Sequence, residues 1–367
     1  MKFSCYKSDL TEAMQFAIRA VAVKPMTPIL AGIYLRADGS MLEIQANNFS
    51  TGLITRIPVN TEVPGEVVVS GKRFQEFVRN MPDDTITFHD VDNMLAIESG
   101  GASVELLTMT ASDFPKVKTP DTDHSFKIRT TTLRNLIKRT AVAVAKDDAR
   151  PIFTGCCFEV KGDTISLVAT NTHRLALAKA QLPDSYEDCT FVVPADALRG
   201  IMLRIDPNDV ENYVTIGYST RYLTFTFDNV FVNTRLIEGV FPPYERVIPT
   251  ASITYVKAET AEFRRAVDFV ALMSRETEYN TVKFTFGNGN IEISSNSPEI
   301  GGAGQNIEAE IDGDDLEISF NVAYIADVLK VVESKQINIA LNDKFSPAAF
   351  TEPDNDNYTY IATPVRT

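Results

Sequence analysis

Two stretches of the chain, LEIQANN at residues 42–48 and ISLVATN at residues 165–171, share one pattern, an alternating strand that runs into polar turn residues. A third copy, IEISSNS, occupies residues 291–297. The segment PILAG at residues 28–32 recurs as PIFTG at residues 151–155. The first two copies of both segments are 123 residues apart. Similar segments that keep one spacing indicate a structural unit that is repeated along the chain.

The helical pattern repeats as well. The strand-like segments VVVS (67–70), VVP (192–194) and ISFN (318–321) each precede an apolar-periodic run typical of a short helix. A period of about 120 residues is too long for a solenoid and fits a repeated domain. We therefore predict an α+β protein of three tandem two-helix, β-sheet domains. The alternative is chance similarity among common strand patterns. The predicted domain bounds are 1–122, 123–250 and 251–367.

Composition places the chain among ordinary globular proteins. Its 367 residues are 44% hydrophobic and 23% charged. Four cysteines without CxxC spacing favour a reducing compartment, so we expect a cytoplasmic protein. The charged, amphipathic N-terminus MKFSCYKSDLTEAM predicts neither a signal peptide nor an anchor. No apolar run is long enough to span a bilayer, and we expect no membrane partner.

Enzyme motifs are missing from the sequence. It contains no GxSxG, GxxxxGK[ST], HExxH or GxGxxG motif. His89, His124 and His173 lack the spacing of zinc ligands, so we expect no metal and no cofactor. His173 lies in a turn after a predicted strand, where it could be a general base but is more commonly a structural residue. Cys156 and Cys157 are adjacent on a predicted strand and should pack in the core.

The net charge of −14 argues against a nucleic-acid partner when it is taken globally. The charge is uneven, however: residues 251–367 carry 9 basic and 19 acidic side chains, whereas residues 123–250 carry 15 of each. Lysine and arginine recur on the predicted helices, of which one covers about residues 131–146 and carries Arg134, Lys138 and Arg139 without an acid. In the simplest interpretation these residues form solvated helix faces. Their recurrence in the repeat instead favours a surface that contacts duplex phosphates without reading bases.

Several motifs resemble the bacterial beta sliding clamp family, the processivity subunits of replicative DNA polymerases. The resemblance extends over the whole chain, from Met1 to Thr367. The most specific motifs are KPMTPIL (24–30), ATNTHRL (169–175), FPPYERVIP (241–249), FNVAY (320–324) and PVR (364–366).

The resemblance implies a DNA clamp fold in which two chains join head to tail into a closed ring of six domains. Duplex DNA would pass through the ring without sequence-specific contact, and the protein would perform no bond chemistry. The basic residues that we expect to contact DNA are Lys24, Arg73, Arg134, Lys138, Arg199, Arg264 and Arg265. The expected dimer interface brings Val104 and Leu106 of one chain against Leu272 and Met273 of the other.

The resemblance also implies a hydrophobic pocket on the middle and last domains, where short linear peptides of polymerase and clamp-loader subunits dock. Carried over by position, the pocket comprises Phe153, Thr170, Thr172, His173, Arg174, Leu175, Pro242, Arg246, Val247, Tyr279, Asn321, Tyr324, Phe345, Pro347, Ile361, Ala362, Thr363, Pro364, Val365 and Arg366. For the buried apolar members, plain core packing is the alternative.

The sequence departs from the family pattern in two places. Asn171 and Thr172 stand where the family usually has Asp and Gly, and Thr363 and Val365 stand where it usually has Met. We therefore expect a shifted preference among partner peptides. The expected interface strands, ASVEL at residues 102–106 and EIGGAG at residues 299–304, carry few charges. A different class of function, a three-domain binding scaffold without a DNA role, remains the alternative.

Overall fold

The computed structural model describes residues 1–146, 149–274, 280–297 and 301–365. The chain divides into two compact units, each with its own β-sheet. The first unit contains Met1–Arg134 and Asp196–Leu236, and the second contains Asn135–Ala195 and Ile237–Thr367. The middle third of the sequence therefore contributes to both units, a division that the sequence pattern did not predict.

The first unit is built on a sheet of thirteen antiparallel strands in the order β10-β13-β14-β15-β4-β3-β2-β6-β9-β8-β7-β1-β5. The pairing of β15 with β4, in which Val230 lies opposite Thr55, joins strands from the first and middle thirds of the sequence. With strands numbered along the whole chain, the members are β1 (Lys2–Tyr6), β2 (Gly32–Asp38), β3 (Met41–Asn47), β4 (Thr51–Pro58), β5 (Asn60–Val63), β6 (Gly65–Ser70), β7 (Thr85–Val91), β8 (Met94–Ser99), β9 (Ala102–Met109), β10 (His124–Arg129), β13 (Tyr213–Tyr218), β14 (Tyr222–Phe227) and β15 (Val230–Arg235).

The second unit has a ten-stranded sheet in the order β11-β12-β23-β22-β21-β16-β19-β18-β17-β20. Here β12 pairs with the C-terminal strand β23, and Leu175 lies opposite Ile361. The members are β11 (Gly155–Thr170), β12 (Arg174–Pro194), β16 (Thr254–Glu259), β17 (Thr281–Gly287), β18 (Asn290–Ser297), β19 (Gly301–Asp312), β20 (Leu316–Asn321), β21 (Gln336–Leu341), β22 (Ala348–Glu352) and β23 (Asn355–Ala362).

Two α-helices fall in each predicted domain, as the repeat requires. The six α-helices of the described residues are α1 (Lys7–Ala17), α2 (Gly71–Asn80), α3 (Thr130–Thr140), α4 (Ala195–Arg204), α5 (Thr260–Ser274) and α6 (Val322–Val331). Five short 3₁₀ helices accompany them: Ile18–Ala20, Pro28–Ala31, Ala111–Asp113, Pro151–Thr154 and Tyr244–Val247. Pro28–Ala31 and Pro151–Thr154 are copies of one element, which confirms that the PILAG and PIFTG segments are equivalent.

Helix α3 ends six residues earlier than the sequence pattern predicted. The prediction of a helix to about residue 146 was wrong because the main chain leaves the helical ladder after Thr140. The N–H of Ala143 donates to the carbonyl of Thr140 at 2.9 Å in a tight turn, and the N–H of Ala145 donates to the carbonyl of Phe153 at 2.8 Å. The turn bond to Thr140 and the longer-range bond to Phe153 replace further helical hydrogen bonds.

Aromatic side chains fix the C-terminal strand onto the core of the second unit. The rings of Phe320 and Phe350 lie 6.3 Å apart edge to face, and Phe350 meets Tyr360 in the same way at 6.2 Å. Tyr360 is fully buried, and its hydroxyl donates to the carbonyl of Tyr324 at 2.9 Å. Edge-to-face packing of this kind adds to the stabilisation from burial. Strand β23 is therefore fixed on the core, and it sets the position from which the C-terminal residues continue.

The adjacent cysteines are both buried, as the strand pattern predicted. Cys156 and Cys157 are both 0% exposed on β11. Burial, reinforced by the nearby Glu159 carboxylate, raises the pKa of the Cys157 thiol to about 12. A thiol that stays protonated is a poor nucleophile and a poor metal ligand, so Cys157 serves as a small core residue.

Candidate functional site

A cavity of about 290 Å³ opens on the second unit. Its wall is mostly apolar and comes from five separate parts of the sequence: the Pro151–Thr154 helix, the turn between β11 and β12 with the start of β12, the Pro242–Val247 segment, Pro347 before β22, and the end of the C-terminal strand with Thr363. The lining residues are Phe153, Thr170, Thr172, Arg174, Leu175, Pro242, Pro243, Tyr244, Val247, Pro347, Ile361 and Thr363.

The turn at residues 170–174 is shaped by side-chain hydrogen bonds. The Asn171 Oδ1 accepts from the backbone N–H groups of His173 and Arg174, at 3.1 and 3.0 Å. The Thr170 Oγ1 accepts from the N–H of Thr172 at 3.0 Å. Asn and Thr in these positions replace backbone partners in tight turns. The sequence ATNTHRL therefore builds a fixed turn that places Thr172 on the cavity wall.

The same turn occurs 123 residues earlier in the first unit. There the Asn48 Oδ1 accepts from the N–H groups of Ser50 and Thr51, and the Asn47 Oδ1 accepts from the N–H of Phe49. Phe49 has a backbone φ of 67° and its counterpart Thr172 a φ of 74°. The left-handed conformation is therefore a property of the repeated turn and not of the residue that occupies it.

Tyr244 forms part of the cavity wall and is anchored from behind. Its hydroxyl donates to the Glu159 Oε2 at 2.8 Å, and the residue is 7% exposed. Burial, followed by this hydrogen bond to a carboxylate, raises the pKa of the Tyr244 hydroxyl well above its ordinary value. The bond to Glu159 on β11 holds the 3₁₀ helix Tyr244–Val247 against the sheet.

Arg174 lies on the wall with its charge already paired. The guanidinium donates through Nη1 to the Asp327 Oδ2 at 2.6 Å, and it lies 4.6 Å from the centroid of the Tyr324 ring. The side chain is 5% exposed. Burial alone would lower the pKa of Arg174, but the interactions with Tyr360 and with the carboxylate of Asp327 outweigh burial and raise that pKa. Arg174 thus places a fixed positive charge on the cavity wall and orients the Tyr324 ring through the contact with its guanidinium.

The C-terminal segment is attached to the same turn. The N–H and the hydroxyl of Thr363 both donate to the carbonyl of His173, each at 2.9 Å. The N–H of Val365 donates to the carbonyl of Ser319 at 2.8 Å. The chain beyond β23 is therefore held beside the cavity by main-chain hydrogen bonds, as the strand-like sequence before it indicated.

Ten of the twenty predicted pocket residues line the cavity. Phe153, Leu175 and Ile361 are also nearly buried, so each of these side chains both lines the cavity and packs in the core. His173 is exposed, and its backbone carbonyl accepts a hydrogen bond from the N–H of Thr363 in the C-terminal segment. This contact is structural, which was the alternative to a catalytic role. Tyr279 and Arg366 lie outside the described residues. The predicted residues that are described but do not line the cavity are His173, Arg246, Asn321, Tyr324, Phe345, Ala362, Pro364 and Val365.

Two lining residues, Pro243 and Tyr244, were missed. Both belong to the FPPYERVIP motif, and an aromatic residue inside a motif of prolines and apolar residues was the available signal. Asn321 has a role in the fold instead: its Oδ1 accepts from the N–H of Ala323 at 3.0 Å and caps α6. Ala362 is fully buried.

The basic residues predicted to contact DNA lie on helices or on a loop and differ in accessibility. Arg73 on α2 and Arg264 and Arg265 on α5 are exposed, as is Lys24 on the loop after Ile18–Ala20. Arg134 and Lys138 on α3 and Arg199 on α4 are half-buried.

Three of these residues already pair with acids. Lys138 donates to Glu333 at 2.7 Å, Arg199 to Asp196 at 3.0 Å, and Arg264 lies 3.8 Å from Asp268.

Arg139, the third basic residue of α3, belongs to the interior. It is 7% exposed and its guanidinium donates to Glu352 at 2.6 and 3.2 Å. The basic face of α3 therefore consists of Arg134 and Lys138, the two residues of this helix that were predicted to contact DNA.

The predicted interface residues lie on a strand and on a helix. Strand β9 pairs with β8 through residues 102–107 and meets β6 only at Thr108 and Met109. Leu106 is buried and only 7% exposed, and Val104 is half-buried, so most of the exposed apolar surface of this strand comes from Leu107, which is 77% exposed. On α5, Leu272 is 58% exposed and Met273 is half-buried.

Metal-ligand clusters and membrane-spanning helices are both absent from the described residues. Within residues 1–146, 149–274, 280–297 and 301–365, no group of three or more His, Cys, Asp or Glu side chains is arranged to hold a metal ion. In the same part of the chain, no helix is long and apolar enough to cross a membrane.

The chain matches known proteins along its whole length. Residues 1–118, 127–243 and 245–366 match the family models of the N-terminal, central and C-terminal domains of the DNA polymerase III beta subunit. It is 33% identical to the beta sliding clamp of Bacillus subtilis and 30% identical to that of Pseudomonas aeruginosa, with complete coverage of both chains in each case.

Solved structures of sliding clamps are similar to this chain over its whole length. The beta subunit of DNA polymerase III from Thermotoga maritima superposes with a TM-score of 0.90 at 27% identity and covers 100% of this chain and 99% of its own. A Pseudomonas aeruginosa sliding clamp bound to griselimycin superposes with a TM-score of 0.88 at 29% identity, with full coverage of both chains. These similarities confirm the predicted α+β fold of three tandem clamp domains: the chain belongs to the DNA polymerase III beta subunit family, the bacterial beta sliding clamps.

Proposed function

We propose that two copies of this chain close head to tail into a ring that encircles duplex DNA and tethers the replicative DNA polymerase to it. The observation that carries this proposal is the match of all three clamp domains, in order, over the whole chain. The family is a non-catalytic processivity factor, which separates this function from an enzyme that uses His173. A scaffold without a DNA role has no comparable support.

The cavity on the second unit is proposed as the docking site for short peptides of the polymerase and the clamp loader. Its apolar wall, formed by Leu175, Val247 and Ile361 among others, suits the hydrophobic end of such a peptide. Arg174 places a buried positive charge on the cavity wall. The exposed His173 and Arg246 are adjacent in sequence to the lining residues Thr172 and Val247. We propose that the remaining predicted residues, including Tyr279 and Arg366, complete this site.

We propose that DNA contacts use the exposed or half-buried basic residues of the repeated helices. The ion pairs of Lys138, Arg199 and Arg264 involve acids that are at least half exposed. Such surface pairs contribute about 0.2–1 kcal/mol, so a phosphate can replace the acid at little cost. The contacts would be sequence-independent, because helix side chains that reach phosphates carry no base readout. The proposed residues are Lys24, Arg73, Arg134, Lys138, Arg199, Arg264 and Arg265.

Charge reversal separates DNA contact from peptide docking. Replacing Arg134 and Lys138 together by Glu should weaken DNA-stimulated synthesis and its salt dependence, while a polymerase-tail peptide should bind as before. Lys283→Glu on β17 is the control, since Lys283 is accessible and pairs with Glu317 as Lys138 pairs with Glu333, but lies outside the proposed set. If the double variant and the control are indistinguishable on DNA, the assignment of α3 is wrong.

The dimer interface is proposed to pair two strand edges. In the described part of the chain, residues 102–107 of β9 and residues 301–308 of β19 each pair with a neighbour on one edge only. A free strand edge is a template for another strand, and two different edges give a heterologous contact that closes a ring when the rotation allows it. Val104, Leu106, Leu272 and Met273 are proposed to lie in this contact, together with Leu107.

We further propose that the domain bounds are 1–122, 123–250 and 251–367 and that the protein acts in the bacterial cytoplasm, where chromosomal replication occurs. The test of the ring is direct. The purified chain should have twice its monomer mass by light scattering and show a central hole in negative-stain electron micrographs. A stable monomer at micromolar concentration would overturn the ring.

A further inference from the structure

Thr172 occupies a backbone conformation that suits glycine. Its φ of 74° lies in the left-handed region, which β-branched side chains adopt rarely and at a cost. The turn imposes this φ, because the hydrogen bonds to Asn171 Oδ1 and Thr170 Oγ1 recur around Phe49 in the first unit. A threonine at this position therefore adds atoms to the cavity wall at the expense of backbone stability.

The Thr172 side chain is fixed by Arg150. The Arg150 Nη2 donates to the Thr172 Oγ1 at 3.3 Å, and the same guanidinium lies 4.9 Å from the centroid of the Phe153 ring. Phe153 and Thr172 both line the cavity. Arg150 therefore contacts two lining residues, and we call the three residues together the Arg150 wall.

The Arg150 wall limits access to an aromatic residue of the cavity lining. The Arg150 guanidinium covers Phe153, and the Phe241 ring packs against Phe153 edge to face at 6.3 Å. A peptide aromatic ring would have to displace the guanidinium in order to stack on Phe153. Tyr244 is the other aromatic lining residue, and its hydroxyl is held by Glu159. The remaining apolar lining, including Leu175, Val247 and Ile361, is aliphatic.

We propose that Thr172, held by Arg150, is a specificity-determining residue that makes this cavity prefer peptides ending in an aliphatic side chain over those ending in an aromatic one. The inference rests on the proposed peptide-docking function and names the ligand class of that site. A glycine at the turn would release Arg150, uncover Phe153 and widen the cavity beside it.

Two acetylated, amidated pentapeptides test the preference by isothermal titration calorimetry. Both read Gln-Ala-Ala-Leu followed by a last residue, which is Leu in one and Phe in the other. The unmodified chain should bind the Leu-ended peptide more tightly. Thr172→Gly should strengthen binding of the Phe-ended peptide by about tenfold relative to the Leu-ended one, the range that pocket shape commonly provides. Arg150→Ala should shift the ratio in the same direction, and Thr172→Ser, which retains the hydroxyl, should keep the original ratio.

Thermal unfolding separates a structural role from a role in specificity. Thr172→Gly should raise the unfolding midpoint, because glycine relieves the left-handed strain. A higher midpoint with an unchanged ratio of peptide affinities would overturn the specificity role and leave peptide docking intact. Equal binding of both peptides by the unmodified chain would do the same. If neither peptide binds the unmodified chain or any variant, the proposed docking site itself is wrong, and the inference with it.

Discussion

Arg139 and Glu352 form a bidentate ion pair in the interior of the second unit. The Arg139 Nη1 lies 2.6 Å from the Glu352 Oε2 and the Nη2 lies 3.2 Å from Oε1. The side chains are 9% and 3% exposed. The Arg139 guanidinium also lies 5.0 Å from the centroid of the Tyr358 ring. The pair therefore fastens helix α3 to β22 and β23, two strands of the sheet that carries the cavity.

Removing one partner of this pair should destabilise the protein strongly. Arg139→Met leaves the Glu352 carboxylate buried without its counterion, which typically costs about 3–5 kcal/mol. Urea unfolding followed by circular dichroism measures the loss. The control is Arg36→Met, because the Arg36–Asp38 pair is more than half exposed and should contribute under about 1 kcal/mol. Equal losses in the two variants would show that burial of the pair is irrelevant to stability.

The same pair predicts a pH dependence of stability. Burial disfavours the Glu352 carboxylate, but hydrogen bonds from Arg139 and from the N–H of Glu333 outweigh burial, so the pKa of Glu352 lies below its usual 4.5. A carboxyl with a lowered folded-state pKa stabilises the fold above its unfolded pKa, and that contribution is lost as the pH falls through the folded value. The stability difference between the unmodified chain and Glu352→Gln should therefore be largest near about pH 7 and shrink below about pH 4.5. A difference that stays constant from neutral to acid pH would contradict this account.

The repeat was readable from sequence because its signals are local. Strand alternation, the Pro28 and Pro151 helix starts and the Asn-containing turns recur at one spacing and were found again in the structure. The end of α3 was not readable, since it depends on the hydrogen bond from Ala145 to Phe153, which exists only in the folded chain.

Burial of individual charges was equally hidden from the sequence. The sequence shows Arg139 and its neighbour Lys138 as two basic residues of one helix. It does not show that Arg139 is buried, because that burial depends on the ion pair with the distant Glu352. Leu106 and Leu107 are likewise adjacent leucines, and which of them faces outward depends on the register of β9 with β8. The cavity residues came from the family resemblance, because the wall joins segments that are far apart in sequence.

Deleting Thr363 to Thr367 should abolish binding of a polymerase-tail peptide. The deletion removes Thr363 from the cavity wall and, with it, both hydrogen bonds to the His173 carbonyl. Folding should survive, because β23 ends at Ala362 and its partners are untouched. Calorimetry with the peptide and a thermal melt measure the two effects separately. Retained affinity in a folded truncated chain would place the docking site elsewhere.

The proposed interface should depend on apolar contact and backbone pairing and not on ion pairs. Glu105 is the one charged side chain in residues 102–107, and Glu308 is the one in residues 301–308, so the two edges carry no opposite charges. The double replacement of Leu272 and Met273 by Ala should favour monomers by removing a few kcal/mol of apolar burial, at about 25 cal/mol per Å². Sedimentation should show that raising the salt concentration leaves the dimer of the unmodified chain nearly unchanged, because few charges are screened.

The matched control for that interface is Phe345→Ala, because Phe345 is similarly exposed, at 59%, but lies outside the proposed contact. It should remain dimeric. A Leu272 and Met273 double variant that is as dimeric as this control at nanomolar concentration would refute the interface assignment.

The central claim is that the chain holds DNA by encircling it, and retention on circular DNA tests that claim most directly. The protein, loaded by its cognate clamp loader onto nicked circular duplex DNA, is passed through a sizing column in salt high enough to screen phosphate contacts. A closed ring should stay with the circle and be lost once a restriction enzyme linearises the DNA, because it slides off the ends. Equal retention on circular and linear DNA, or equal loss from both, would contradict the sliding-clamp account.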